Sequence, residues 1–289
     1  MPELPEVEVV KRSLKRKVLN LTIKSVKIND MNLRYTLNKE DFNKIRGRKI
    51  KKIKRRSKFL TFEIDKSFIL LIHLGMTGKF FFVNKTNKKF KTSFYYNLNE
   101  KKDKKHDRVI FFLENRQKLI YNDVRKFGFI KVYHFHEFNK NLHFKNLGPE
   151  PFEKGYNKRY LKKYFLGRER LIKDILMDQK CVSGLGNIYV NEILFESGIT
   201  PKRKVGKLKD FEITKIVKKT KKILKNSIRL GGSSIKDFSS DNGKKGAFQQ
   251  HFKVYGRKGE ECSNIDCKKI IIKTVISNRS SFFCNNCQK

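Results

Sequence analysis

Tryptophan is absent from this 289-residue chain, methionine and proline number four and five, and acid is scarce: 28 Asp and Glu stand against 69 Lys and Arg. A long apolar run is missing too. The longest, Phe68 to Leu74 with His73 inside it, is far too short to cross a bilayer, which argues against a helical membrane span. The start, Met1-Pro2-Glu3-Leu4-Pro5-Glu6-Val7-Glu8, puts carboxylates ahead of any cation, the reverse of a secretory leader, so a cytoplasmic location is expected. The shortage of acid leaves a formal net charge of +41. A field of that sign attracts polyanions and speeds their encounter, which makes nucleic acid the expected partner and a membrane surface the weaker candidate. The lack of tryptophan beside abundant Lys, Asn, Ile and Phe marks an AT-rich genome that inflates Lys everywhere. The sign of the charge therefore says more than its size.

Residues 5–19 predict a helix: Pro5 suits a first helical position, Glu6 and Glu8 complement the positive end of the dipole, and Val7, Val10, Leu14 and Val18 recur at helical spacing. From about residue 21 to 135 the pattern turns to β. Candidate strands are Leu21–Ile28, Phe59–Ile64, Phe68–His73, Val109–Leu113, Lys118–Tyr121 and Phe129–Tyr133, which together suggest a mostly antiparallel sandwich. The polar, Lys-rich stretch Asn84 to Lys105 reads as a loop. Leu147-Gly148-Pro149-Glu150-Pro151 is a break. Beyond it Tyr160–Phe165, Leu171–Met177, Ile188–Phe195 and Phe211–Leu230 have helical periods. The expected class is α+β, with no internal repeat.

Four of the five cysteines fall as Cys262-x4-Cys267-x16-Cys284-x2-Cys287, with Lys269–Ser277 and Ser281–Phe283 between them as two short strands. Two close-spaced thiol pairs can fold back into a tetrahedral set of sulfurs, the arrangement zinc takes in closed structural sites. Two disulfides are the alternative, disfavoured in a reducing compartment. Lys268, Lys269, Lys273 and Arg279 suit contact with a phosphate backbone. Cys181 reads as a packing residue.

Several segments in order then resemble the formamidopyrimidine-DNA glycosylase family. They are Met1 to Glu8, Arg56-Ser57-Lys58-Phe59-Leu60, His73-Leu74-Gly75-Met76-Thr77-Gly78 and Asp123-Val124-Arg125-Lys126-Phe127-Gly128. In the second half they are Leu147 to Pro151, Gly184-Leu185-Gly186-Asn187 through Glu192, Tyr255-Gly256-Arg257-Lys258-Gly259, and the cysteine hairpin with Arg279. Leu4 resembles the formamidopyrimidine branch; the related endonuclease VIII branch usually has Gly there. The resemblance implies an N-terminal helix and catalytic β-sandwich over 2–135, a linker over 136–150, a helix–two-turn–helix DNA-binding domain over 151–260 and a zinc finger over 261–289.

It further implies a bacterial, nucleoid-associated base-excision repair enzyme, expected to be a monomer, whose partner is damaged double-stranded DNA and whose single cofactor is a structural zinc ion. Oxidised purines such as 8-oxoguanine and formamidopyrimidines would be removed and the abasic site cut by β,δ-elimination. Pro2 matches the nucleophile and Glu3 the general acid–base residue; Glu6 stays open to either a solvated or a working role. Lys58 matches a proton donor in β-elimination, although the seven basic residues of Lys49–Lys58 also read as a solvated face. Arg279 matches a phosphate contact and δ-elimination residue. Met76, Arg125 and Phe127 match side chains that fill the gap left by an extruded base, against core packing for Met76 and Phe127. His106, Arg168 and Asn187 match backbone contacts, and Gly231 to Gly246 resembles a lesion-recognition loop. Two features depart from the family: its first cysteine pair is expected as Cys-x2-Cys, and the Asn84–Lys105 stretch has no clear equivalent. A pyrimidine-specific endonuclease-VIII-like enzyme and a non-catalytic DNA-binding module are the competing readings.

Overall fold

A computed structural model describes residues 1–93, 104–233 and 247–289. The chain forms two compact units, Met1–Leu142 with Gly231–Ala247, and His143–Leu230 with Phe248–Lys289.

In the first unit helix α1 (Leu4–Val18) buries Val7, Val10, Leu14 and Val18 along one face, as its spacing requires. Two antiparallel sheets follow. One runs in the order β1 (Ile23–Ile28), β7 (Asp107–Leu113), β8 (Lys118–Asn122), β5 (Lys79–Val83), β6 (Lys89–Lys91); the other is β2 (Ile50–Arg56), β3 (Phe59–Ile64), β4 (Phe68–His73), β9 (Phe129–His134). A short helix α2 (Lys39–Lys44) precedes β2. Leu60, Phe62, Leu70 and Ile72 of one sheet share a core with Phe80, Val109, Phe111 and Tyr121 of the other, and the Phe62 and Phe80 rings stack at 6.4 Å. The sandwich is therefore closed by interdigitating apolar side chains from both inner faces.

Three strands escape a sequence-only reading. β2 is an edge strand of cations whose two core residues, Ile50 and Ile53, are three apart. A β-bulge between Ile50 and Lys52 returns both to the inner face and so breaks the period of two. β5, Lys-Phe-Phe-Phe-Val, is buried throughout and has no alternation to detect. The loop expected over Asn84–Lys105 is corrected in part: Lys89–Lys91 pairs with β5 through Phe81↔Lys91, Phe82↔Phe90 and Val83↔Lys89. Its polar composition hid an edge strand, where Lys is favoured because it discourages further pairing.

A Cβ at Gly128 would lie 1.9 Å from the Tyr121 hydroxyl and 2.6 Å from the His73 carbonyl. Gly128→Ala is expected to destabilise this unit by about 2–3 kcal/mol through overpacking, read as a lower urea midpoint. An unchanged midpoint would contradict the close approach.

The chain passes through α3 (Leu142–Lys145) into the second unit, built from α4 (Lys158–Phe165), α5 (Ile172–Met177), α6 (Asn187–Ser197) and α7 (Asp210–Arg229). Helix α6 buries Ile188, Tyr189, Val190, Ile193 and Leu194, apolar residues on every side, and ends at Gly198 in the left-handed region (φ 72°). Helix α7 is amphipathic, with Ile213, Ile216, Ile223 and Leu224 inward and its lysines outward. The tail closes as a hairpin of β10 (Ile272–Ile276) and β11 (Arg279–Phe283). Its turn is Ser277-Asn278, both at positive φ, so Arg279 opens a strand.

Candidate functional site

The amino terminus is anchored by Glu6. Pro2 is buried ahead of α1, and Glu3, at the N-cap, is 3 % exposed. The Glu6 carboxylate accepts from the Glu3 backbone N–H (2.9 Å) with one oxygen. With the other it accepts from the Ser233 N–H (2.8 Å) and hydroxyl (2.9 Å). One buried side chain thus ties the residue after Pro2 to the segment that opens at Gly231. This settles the open reading of Glu6: it is not a solvated carboxylate. Residues 234–246, the rest of the expected lesion-recognition loop, lie outside the described residues.

Two residues along the helix, Glu8 accepts from Lys11 (2.7 Å), Arg12 (2.9 Å) and Arg55 of β2 (3.0 Å). Burial pushes its pKa up, but the three cations outweigh that and hold it below the usual carboxylate value. Arg55 also donates to the Ser57 carbonyl (3.0 Å). Ser57-Lys58 is the two-residue turn between β2 and β3, made by Ser57 at φ 56°. Lys58 in that turn is 7 % exposed. A solvated face, the bland reading of the basic run, does not describe it. The Glu8–Arg55 pair therefore sets the helix that follows Pro2 and Glu3 against the hairpin that carries Lys58.

Two loops form a second grouping. The β4–β5 turn holds Met76, half-buried, and the β8–β9 loop holds Arg125 and Phe127. Phe127 is 46 % exposed, which rules out core packing for it, and the Arg125 guanidinium lies 4.5 Å from its ring centre. The Thr77 hydroxyl donates to Asp123 and accepts from the Arg125 N–H (3.0 Å), joining the loops. Gly75 is needed here: a Cβ would come within 2.4 Å of the Gly128 nitrogen and the Phe127 carbonyl carbon. His106 is linked to the same loop through Arg108, whose Nη2 faces His106 Nδ1 at 3.2 Å and whose Nε donates to the Asp123 carbonyl at 2.8 Å. A guanidinium only donates, so Nδ1 accepts and the ring proton sits on Nε2.

In the second unit Asn187 begins α6 and donates from its side chain to the Ser280 carbonyl (2.9 Å). Lys173 of α5, fully buried, donates to the carbonyls of Arg279 (3.3 Å) and Ser280 (3.0 Å) and to the Ser281 hydroxyl (2.6 Å). Burial, with the Arg279 charge beside it, pulls the Lys173 ammonium down to about 8 against the pull of Asp174. Asn191 accepts from the Phe282 N–H (2.7 Å) and Ser277 donates to Asp174 (2.8 Å). The turn that presents Arg279, itself exposed, is thus held from two helices. Arg168 is exposed after α4, its guanidinium 4.3 Å from the Tyr164 ring centre. Glu192 accepts from three consecutive N–H groups, of Lys253 (2.9 Å), Val254 (3.0 Å) and Tyr255 (2.8 Å), which fastens the chain entering the hairpin. Sequence reasoning had missed Lys173, Asp123, Arg108 and a role for Glu192. Lys173 carried one weak signal, a cation between the apolar positions Ile172, Ile175 and Leu176 of one helix.

The sulfurs of Cys262, Cys267, Cys284 and Cys287 all lie within 4.8 Å of one another, with Cys262–Cys287 at 3.8 Å and Cys267–Cys284 at 3.6 Å. Tetrahedral zinc with bonds of ~2.3 Å separates its sulfurs by about 3.8 Å, so the set fits that ion. The widened first pair is absorbed by a turn in which Cys267 N–H donates to the Asn264 carbonyl (3.0 Å). Cys181 lies elsewhere, in the helical core, and burial pushes its thiol up to about 12. Among the described residues no helix is long and apolar enough to cross a membrane.

The comparisons with known proteins fall on this geometry. The family model of the formamidopyrimidine-DNA glycosylase N-terminal domain matches residues 1–130, and that of the same family's H2TH domain matches residues 147–239. The chain belongs to the formamidopyrimidine-DNA glycosylase family. It is a DNA glycosylase, an enzyme of base excision repair. Formamidopyrimidine-DNA glycosylases of Rickettsia felis and Rickettsia canadensis are 39% and 40% identical to it, over 100% of this chain and 98% and 99% of theirs. Among solved structures, a mutant of the Lactococcus lactis enzyme in complex with Fapy-dG-containing DNA superimposes with a TM-score of 0.85 at 32% identity, covering 100% of both chains. The Lactococcus lactis enzyme with abasic-site DNA gives 0.84 at 32% identity over 99% of each. The α+β class of the sequence reading, sandwich, helical domain and cysteine hairpin, holds.

Proposed function

We propose that this glycosylase removes oxidised purines, 8-oxoguanine and formamidopyrimidines, from damaged double-stranded DNA and then cuts the strand, acting as a monomer in the bacterial cytoplasm. The observation that carries the reading is the setting of Pro2. It is buried directly before α1, and the carboxylate of Glu6 holds both Glu3 beside it and Ser233.

Pro2 becomes a secondary amine when Met1 is removed. A terminal amine has a pKa near 8, at ~7.7–8.0, so a useful fraction is neutral at pH 7, whereas a lysine near ~10.4 needs strong depression to compete. The amine attacks the anomeric carbon, the base leaves, and a cationic iminium forms. That cation acidifies the neighbouring C–H, so loss of the proton expels the phosphate on the 3′ side by β-elimination; a second elimination expels the other. Glu3, beside the amine, handles the proton of the departing base or opening sugar. Lys58, in its buried turn, serves the first elimination and touches phosphate. Arg279 pairs with phosphate and aids the second; its ordinary pKa above ~12 makes contact the firmer role.

The base must leave the stack for this attack. Met76 and Phe127 then act as wedges in the vacated step, with Arg125 facing the partner base. His106, with its proton on Nε2, donates to the backbone, joined by Arg168 and by Asn187 at the start of α6. The four cysteines hold one structural zinc ion, which fixes the Arg279 hairpin.

Borohydride trapping on an 8-oxoguanine duplex tests the reading. A covalent adduct at residue 2 is expected. An adduct at a lysine sinks the Pro2 assignment, and faster excision of oxidised pyrimidines sinks the purine preference.

A further inference from the structure

The loop that carries Arg125 and Phe127 is fastened at Asp123, Arg125, Lys126 and Gly128, and the fastening at Lys126 runs through a side chain with no role so far. Asp30, in the segment after β1, places one oxygen 2.7 Å from the Lys126 ammonium and 2.8 Å from Arg108 Nη1. Lys126 stands between Arg125 and Phe127 with φ 58°, a left-handed backbone that costs a non-glycine residue energy unless its surroundings hold it. Arg108 carries the same charge network to the start of the loop, at the Asp123 carbonyl. The Asp123 side chain closes the far end by accepting from the Gly128 N–H at 2.9 Å. The Asp30 segment also meets the Gly128 carbonyl, through the Arg34 N–H at 3.1 Å. At the outer edge the Arg125 and Phe127 side chains are exposed.

We infer that Asp30, with Arg108 and Lys126 as its partners, is a positioning residue that sets the Arg125–Phe127 wedge in its working conformation before DNA arrives. Asp30 and Arg108 lie outside every motif quoted above. The effect of this clamp is entropic: a wedge already ordered loses less freedom on entering the duplex, and each side chain left to be ordered at binding weakens the complex several-fold. The inference rests on the proposed role of Arg125 and Phe127. It also makes a distinction that role alone does not. A wedge has work to do only where there is a stack to enter, so the clamp matters for duplex DNA and not for a single strand.

The experiment measures two activities of the full-length protein carrying Asp30→Asn, Lys126→Met, or both. One is excision of 8-oxoguanine from duplex DNA; the other is cleavage of a single-stranded oligonucleotide with a preformed abasic site. The Lys126 side chain is partly exposed and lies in a loop outside the buried core, so Lys126→Met tests the clamp with the core packing left in place. Each single variant is expected to lose about three- to tenfold in kcat/KM on the duplex and to match the parent on the single strand, with the double variant no worse than the poorer single one. Equal losses on both substrates, or none on the duplex, overturn the inference. Phe127→Ala, run alongside, separates the two levels. If it also leaves duplex excision intact, the wedge reading itself falls; if it alone impairs excision, the wedge stands and the clamp does not.

Discussion

A chain with one residue inserted between Met1 and Pro2 loses strand cleavage by about 10³-fold or more and gives no borohydride-trapped adduct, while still binding lesion DNA. The size of the effect follows from the chemistry assigned to Pro2. An internal proline nitrogen is an amide without a nucleophilic lone pair, so the insertion removes the nucleophile and leaves the rest of the fold in place. Pro2→Gly is milder, because a terminal glycine still offers a primary amine. Comparing the two separates loss of the amine from loss of the ring. Persistent trapping in the insertion variant would move the covalent role to a lysine, with Lys58 in its buried turn the first to examine.

Stripping the metal is the second large effect. Cys284→Ser, or prolonged chelation, is expected to release the β10–β11 hairpin and abolish strand cleavage on duplex DNA. A two-stranded hairpin is marginal alone. The apolar cluster supporting this one is small, with Phe195, Val254, Ile271 and Phe282 around the cysteines. Structural zinc contributes about 10–16 kcal/mol to isolated finger peptides, far more than such a cluster offers. Limited proteolysis should cut near residue 261 in the stripped protein and spare the helical core, and metal analysis of the parent should return one zinc per chain. Full activity in a zinc-free preparation would show that the Lys173, Asn187 and Asn191 contacts suffice to hold the turn behind Arg279.

Much of the fold was legible because its elements obey one period at a time. β3 and β4 were readable to the residue, Phe59–Ile64 and Phe68–His73, since apolar β-rich runs there are bounded by turn residues. Helix α1 and the four longer helices of the second unit followed from their apolar spacing. β2 was not legible, because a bulge shifted its two core residues out of phase and cations filled the remainder of an edge. The same edge logic hid β6.

Among candidate site residues, the resemblance to the family pointed to Pro2, Glu3, Lys58, Met76, Arg125, Phe127 and Arg279, and the four cysteines were evident from spacing. Their supports were silent. Asp30, Arg108 and Asp123 sit 15 to 93 positions apart along the chain and meet only when β1, β7 and the β8–β9 loop pack together. Lys173 reaches Arg279 across 106 residues and Glu6 reaches Ser233 across 227. The sequence by itself determined the family and, with it, DNA glycosylase chemistry, because an ordered set of motifs running from Met1–Glu8 to the cysteine hairpin is far more specific than any one of them. Only the tertiary structure decided which side chains hold that chemistry in place. A hydrogen bond or ion pair depends on separation in space, and separation along the chain says nothing about it until the chain has folded.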